Sequence, residues 1–165
     1  MDDVAADERL HHALTRARAV NLAEEELPAL TALAELRRRQ GRPDEARELL
    51  DQVWEGAERG PYPLHHADAL NVLAQIERGA GNTSAAVDAA TRAYTLAWRD
   101  GISADGAHCY AYWWGLQAAK AHLTALGAPV PVLSPFTLDG REPMPAVEID
   151  PDDEFHVGDR AVEEE

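Results

Sequence analysis

The residues of this 165-residue chain that could perform chemistry include seven histidines and one cysteine. The adjacent pairs His11-His12 and His65-His66 are the first candidates for a metal site. Neighbouring side chains on a helix point about 100° apart, so neither pair grips one ion easily. Cys109 follows His108, but a nucleophilic thiol needs a base within hydrogen-bond reach and a third, orienting group. We therefore expect no catalytic residue, no metal and no cofactor, with a small metal- or thiol-dependent enzyme as a distant alternative.

Charge and composition exclude further classes of protein. The chain has 15 basic and 30 acidic residues, a formal net charge of −15, which would repel a phosphate backbone. We therefore expect no binding to nucleic acid. The first thirty residues contain no uninterrupted apolar block, so neither a signal peptide nor a membrane span is predicted. The single cysteine cannot form an internal disulfide, and the predicted compartment is the cytoplasm.

The elements that must position any site are helices, because alanine, leucine, glutamate and arginine dominate the first 127 residues. Asn21 and Glu24 have the spacing of a capping box, and glycine-containing turns divide the remaining helices. The pattern predicts no strand and six helices, at about residues 5–20, 23–40, 44–58, 64–80, 83–99 and 107–126.

Two segments of the chain match each other at a shift of 40 residues, the interval from Gly41 to Gly81. In each segment an apolar stripe is followed by a turn glycine and then by small residues that let a second helix approach closely. The paired residues are Leu30 and Leu70, Leu33 and Leu73, Ala34 and Ala74, Ala46 and Ala86, Leu50 and Ala90, and Val53 and Ala93. Each unit is predicted to be a helical hairpin, and the first helix to be the second half of an earlier unit.

The pattern from Leu70 to Ala93 resembles the tetratricopeptide repeat, and the resemblance covers roughly residues 22–126. It implies an all-α array of helical hairpins, a right-handed α-solenoid. It also implies a non-catalytic scaffold that binds a protein or peptide on the concave face of the repeats.

A second resemblance lies in residues 67–77, in Tyr112-Trp113-Trp114-Gly115-Leu116 and in residues 142–150. These segments look like the C-terminal repeats of bacterial signal-transduction NTPases of the NACHT type. The resemblance implies, as an alternative function, a sensor or regulatory module. The chain has no phosphate-binding loop of its own, so the NTPase would be a partner on another polypeptide or segment.

Positions one step away from the packing leucines of each first helix are predicted to face a partner. Asn71 and Gln75 would hydrogen-bond a peptide backbone, and Arg38 and Arg78 would meet carboxylates, which resembles the clamp of some tetratricopeptide domains. Trp114 would be an aromatic anchor or a core residue. The full predicted partner-binding set is Thr31, Glu35, Arg38, Asn71, Gln75, Arg78, Trp114 and Gln117.

The chain is predicted to divide into a repeat domain over residues 1–127 and a proline-rich tail over residues 128–165. The tail holds eleven acids and two arginines and is expected to be largely extended or disordered. Because the predicted groove carries arginines, the partner is expected to be an acidic segment or the tail itself. The stack is predicted to end in mid-repeat, which leaves apolar edges through which copies could associate.

Overall fold

The computed structural model describes residues 3–57, 60, 62–99 and 112–132. Within these ranges the chain forms helices and turns and no β-strand. The helices are α1 (Asp3–Ala19), α2 (Ala23–Arg39), α3 (Pro43–Ala57), α4 (Pro63–Gly79), α5 (Thr83–Arg99) and α6 (Trp113–Ala125). The predicted all-α helical repeat array is confirmed. Cys109, His108 and nearly all of the predicted tail lie outside the described residues.

The start of the last helix differs from the prediction. Tyr112 is the N-cap of α6, with φ −69° and ψ 87°, so helix does not extend back through it. Its backbone N–H donates to the carbonyl of Ala97 on α5 at 2.9 Å, and its hydroxyl donates to Asp68 on α4 at 3.0 Å. These two tertiary bonds hold Tyr112 in a non-helical conformation.

The predicted capping box at Asn21 is wrong. The N-cap of α2 is Leu22, which makes no side-chain capping bond, and Asn21 has a left-handed φ of 54°. Asn21 instead ends α1 in the way that glycines with positive φ end α2, α4 and α6. Asparagine is one of the few residues that tolerate this conformation, which explains its position.

The same Schellman-type turn therefore recurs four times in the part of the chain that the structure describes. In each, the amide after the left-handed residue donates back across the helix end to a carbonyl at 2.9 Å, in the pairs Leu22 to Ala17, Arg42 to Arg37, Asn82 to Glu77 and Ala128 to Leu123. The turn from α1 to α2 is thus of the same kind as the turns inside the hairpins α2–α3 and α4–α5.

Small residues allow the hairpin helices to approach closely. Ala46 and Ala86, which are equivalent in the two repeats, are both 0% exposed. Two core clusters form, one centred on α2 and α3 and the other on α4, α5 and α6, and Trp54 and Leu73 pack against both. The repeat-related leucines and alanines predicted to pack are buried, apart from Leu73, which is partly buried.

The first helices of the hairpins lie side by side. Helix α4 contacts both α2 and α6, whereas α3 and α5 make no close backbone contact along the described chain. The first helices are therefore closer together than the second helices, which places α2, α4 and α6 on the inner side of the array. We call the surface formed by these three helices the inner face.

Candidate functional site

Most of the predicted partner-binding residues on α2 and α4 remain accessible on the inner face. Thr31, Glu35, Arg38 and Gln75 are partly exposed, and Arg78 is exposed. Arg78 forms no ion pair with any residue that the structure describes. It lies in the last turn of α4, as Arg38 lies in the last turn of α2. The 40-residue repeat therefore brings two equivalent arginines to the same end of the inner face.

His122 of α6 joins these two arginines. Burial lowers the pKa of His122, and the positive charges of Arg78 and Arg38 lower it further, whereas Glu35 acts in the opposite direction. A pKa below the ordinary value of 6.5 leaves the imidazole mostly neutral at pH 7. We call Arg38, Arg78 and His122 the basic cluster. All three helices of the inner face contribute to it.

Glu35 limits the free charge of this cluster. Its carboxylate accepts two bonds from Arg38, at 2.7 and 2.8 Å, and one from Arg39 at 2.6 Å. Burial acts to raise the pKa of Glu35, but hydrogen bonds from the two guanidinium groups outweigh it, and the pKa lies below its ordinary value. Arg38 is therefore already paired, and Arg78 is the cation of the cluster that is free to meet a carboxylate.

Asn71 lies deeper than the sequence predicts. It is only 6% exposed, and its amide nitrogen donates to the carbonyl of Gly115 on α6 at 3.0 Å. Its Oδ1 atom is buried without a hydrogen-bond partner among the described residues. The amide nitrogen therefore joins α4 to α6 and is not available to a peptide backbone.

Trp114 and Gln117 lie on α6, away from the basic cluster. Trp114 is in the first turn of the helix and is 77% exposed, so its ring is a surface group and not part of the core. Gln117 is partly exposed. His122 is in the last turn of α6, so Trp114 and the basic cluster mark opposite ends of the helix.

Sequence reasoning missed a pocket between α2 and α4. The pocket has a volume of about 310 Å³, and its lining includes Asp68 and His65 of α4 beside Thr31 and Glu35 of α2. Asp68 is the repeat equivalent of Pro28. The comparison of the two repeats selects residues that are alike at a 40-residue shift, and it therefore does not select Asp68. The lining is Pro28, Thr31, Ala32, Glu35, His65, Asp68 and Val72.

Asp68 of the pocket lining is bonded to Tyr112, the N-cap of α6. The Tyr112 hydroxyl donates to Asp68 at 3.0 Å. Burial raises the pKa of Asp68, although the hydrogen bond from Tyr112 and the nearby His65 act to lower it. Burial and the charge of Asp68 together raise the pKa of Tyr112 to about 12.

The described part of the chain lacks two further features. No group of three or more His, Cys, Asp or Glu side chains is arranged to hold a metal ion. No helix there combines the length and apolar character needed to cross a membrane.

Residues 25–97 match the family model described as tetratricopeptide repeat. The match spans α2 to α5 and supports a protein of the tetratricopeptide-repeat type. Repeats of this type generally mediate protein–protein interaction and serve as non-enzymatic scaffolds. No curated protein and no solved structure gave a significant match. The resemblance to NACHT-type NTPases stays a prediction from the sequence.

Proposed function

We propose that this protein binds an acidic segment of a protein partner on its inner face, through the basic cluster. The observation that carries the proposal is Arg78, an exposed guanidinium with no ion pair among the described residues, in a chain whose net charge is −15. In so acidic a molecule an arginine with no ion-pair partner among the described residues is available for a carboxylate from elsewhere. A guanidinium binds a carboxylate through two parallel hydrogen bonds.

The neighbours of Arg78 favour the same ligand. His122 is held mostly neutral partly by the two arginines, so an approaching carboxylate would raise its pKa and add a third cation. Arg38 is held in place by Glu35 and keeps its positive charge close to Arg78. The site would thus respond to a negative ligand by becoming more positive.

The segment after Val132 is an acidic candidate ligand within the chain itself. Residues 133–165 contain eleven acids and two arginines, and they continue from the end of α6 that carries His122. A tethered ligand competes at the effective concentration set by its linker, which is in the millimolar range for short flexible linkers. We propose that this segment competes with a partner for the basic cluster.

The proposal is tested by reversing the charge of Arg78. The probe is a fluorescein-labelled octapeptide in which glutamate alternates with serine, with both termini blocked, followed by fluorescence anisotropy at low salt. We expect Arg78→Glu to weaken binding by about tenfold or more, because a charge-assisted hydrogen bond contributes about 1.5–3 kcal/mol. We also expect the peptide to raise the pKa of His122 in an NMR titration of the wild type.

Arg16→Glu is the matched control, since Arg16 is also an exposed arginine in the last turn of a helix, here α1. Both variants change the net charge equally and place an acid near the negative end of a helix dipole. Equal weakening in the two variants would show that only overall charge matters, and the basic cluster would not be the site.

A further inference from the structure

We propose that the pocket lined by Asp68, Thr31 and Glu35 is a subsite for a basic side chain of the bound partner, an arginine or a lysine. This inference rests on the proposed function, because it adds a second point of recognition to the same inner face. It gives the face a polarity along α4, with a cation of the partner near Asp68 and a carboxylate near Arg78 at the C-terminal end.

Three polar groups of the pocket, the Thr31 hydroxyl and the Asp68 and Glu35 carboxylates, favour a ligand that donates hydrogen bonds, whereas His65, which also lines the pocket, can donate or accept one. The Thr31 hydroxyl donates its hydrogen to the carbonyl of Leu27 at 2.9 Å, so only its lone pairs are left for a ligand. The carboxylates of Asp68 and Glu35 accept hydrogen bonds and cannot donate them while ionised. A guanidinium or an ammonium group supplies donors and no acceptors, which matches this set.

The charge balance favours a cation over a neutral donor. Glu35 is paired with Arg38 and Arg39, whereas no lysine or arginine of the described residues forms an ion pair with Asp68. Asp68 is also partly buried, and the groups that act to stabilise its charge are the Tyr112 hydroxyl and the nearby His65. The full positive charge of a ligand would stabilise the buried carboxylate further.

The walls of the pocket fit the rest of a basic side chain. Pro28, Ala32 and Val72 supply apolar surface beside the carboxylates. Lysine and arginine bury their methylene stems on apolar surface and direct the charged group to polar atoms. The volume of about 310 Å³ accommodates one such side chain and is at the lower limit of sites for small molecules.

The distance between Asp68 and Arg78 sets the expected spacing between the basic and acidic residues of the partner. Asp68 and Arg78 are ten residues apart on α4, which corresponds to about 15 Å along the helix. An extended peptide advances about 3.3 Å per residue, so its basic and acidic residues would be about four or five positions apart.

The pocket is first tested without any peptide. The probe is n-butylguanidinium, titrated into the full chain and followed by NMR, with n-butanol as the neutral comparison. We expect n-butylguanidinium to shift the amide signals of Thr31 and Val72, and n-butanol to leave them unchanged.

Asp68→Asn should abolish the shifts, since asparagine can still accept the Tyr112 hydrogen bond but has no charge. Asp51→Asn, an exposed change of equal charge on α3, should preserve them. Identical shifts in Asp68→Asn, or none in the wild type, would overturn the pocket assignment.

The link to the partner is tested with nonapeptides of serine and alanine that carry one arginine and, five positions away, two glutamates, in both orders. The comparison peptides replace arginine by neutral citrulline. We expect Asp68→Asn to weaken the better arginine peptide about tenfold and the citrulline peptide less than twofold. We expect Arg78→Glu to weaken both peptides.

The peptide experiment distinguishes a failure of the subsite from a failure of the proposed function. If Arg78→Glu weakens binding but arginine and citrulline peptides bind alike, the subsite is wrong and the proposed function stands. If Arg78→Glu changes neither peptide while n-butylguanidinium still requires Asp68, the proposed use of the basic cluster is wrong and the pocket stands.

Discussion

At the scale of single residues, Glu77 is a buried acidic side chain bonded to groups from two successive hairpins. It is 8% exposed, and its carboxylate accepts bonds from Arg47 of α3 at 2.9 Å and from Asn82 at 2.7 Å. The Asn82 bond is the largest effect on the pKa of Glu77 and, with Arg47, keeps it below the ordinary value against the opposing effect of burial. Glu77 thereby joins α3, α4 and the turn that follows α4.

We predict that Glu77→Gln lowers the free energy of unfolding by about 1–2 kcal/mol at pH 7, because a hydrogen bond to a charged group contributes about 1.5–3 kcal/mol and the glutamine amide keeps part of it. Because the pKa is lower in the folded state, this stabilisation is present above the unfolded pKa near 4.5 and is lost as the pH falls through the folded pKa. Urea unfolding at pH 7 and at pH 3.5 measures both effects. Glu48→Gln, an exposed change on α3, should have little effect at either pH. A penalty for Glu77→Gln that is as large at pH 3.5 as at pH 7 would refute the ionic role.

The sequence predicts some residues of the inner face and not others, for a physical reason. Arg38 and Arg78 were found because they occupy equivalent positions of the repeat and are both basic. His122 and Asp68 of the proposed sites were not predicted, because their positions beside Arg78 and in the pocket depend on how neighbouring helices are placed, which no single repeat encodes. Asn71 was placed on the surface because helical periodicity cannot show that α6 packs over it.

At the scale of the elements, Gly79 and Gly81 at the end of α4 allow two predictions, because substitution of these glycines should change the stability in opposite directions. Gly81 has a φ of +79°, and Gly79 is an ordinary residue of α4; a Cβ at either position would meet no atom within 4 Å. Crowding therefore cannot explain any difference between substitutions at the two sites. Only the backbone conformation differs.

We predict that Gly81→Ala destabilises the protein by about 1–2 kcal/mol, the cost of a left-handed conformation for an L-residue with a side chain. Gly79→Ala should stabilise it by about 0.5–1 kcal/mol, because alanine loses less conformational freedom in a helix. Thermal and urea unfolding of the two variants measure both changes. A stabilising effect of Gly81→Ala would mean that the turn is not left-handed at this residue.

The helices themselves were largely predictable, whereas their connections were less so. Five of the six helices begin and end within two residues of the predicted bounds, because apolar periodicity and turn glycines define them locally. Asn21 was read as an N-cap, although it ends the preceding helix, because asparagine suits both positions. The start of α6 depends on the bonds of Tyr112 to Ala97 and Asp68, which are separated from it in sequence by 15 and 44 residues.

At the scale of the whole molecule, charge is divided unequally between the repeats and the segment after them. Residues 133–165 carry a net charge of −9 out of the total of −15. An acidic partner would have to bind against this charge and, on the proposed competition, displace the segment from the basic cluster. On this proposal, only a partner that binds the basic cluster strongly enough to displace the segment would be bound.

We predict that neutralising part of this segment strengthens binding of the acidic octapeptide. The full-length variant carries Asp152→Asn, Asp153→Asn and Glu154→Gln, and its affinity at low salt should rise by several-fold through weaker competition. The measurement is the anisotropy titration used for Arg78→Glu.

A general loss of negative charge would also favour an acidic probe, so the control removes the same charge from the helices. Glu24→Gln, Glu48→Gln and Asp51→Asn change three exposed residues of α2 and α3. Competition predicts a larger gain for the segment variant than for this control, and the difference should vanish when Arg78→Glu is added to both. Arg78→Glu should remove the difference because a competitor must share the site that Arg78 provides. Equal gains in the two variants would show that the segment acts only through its total charge.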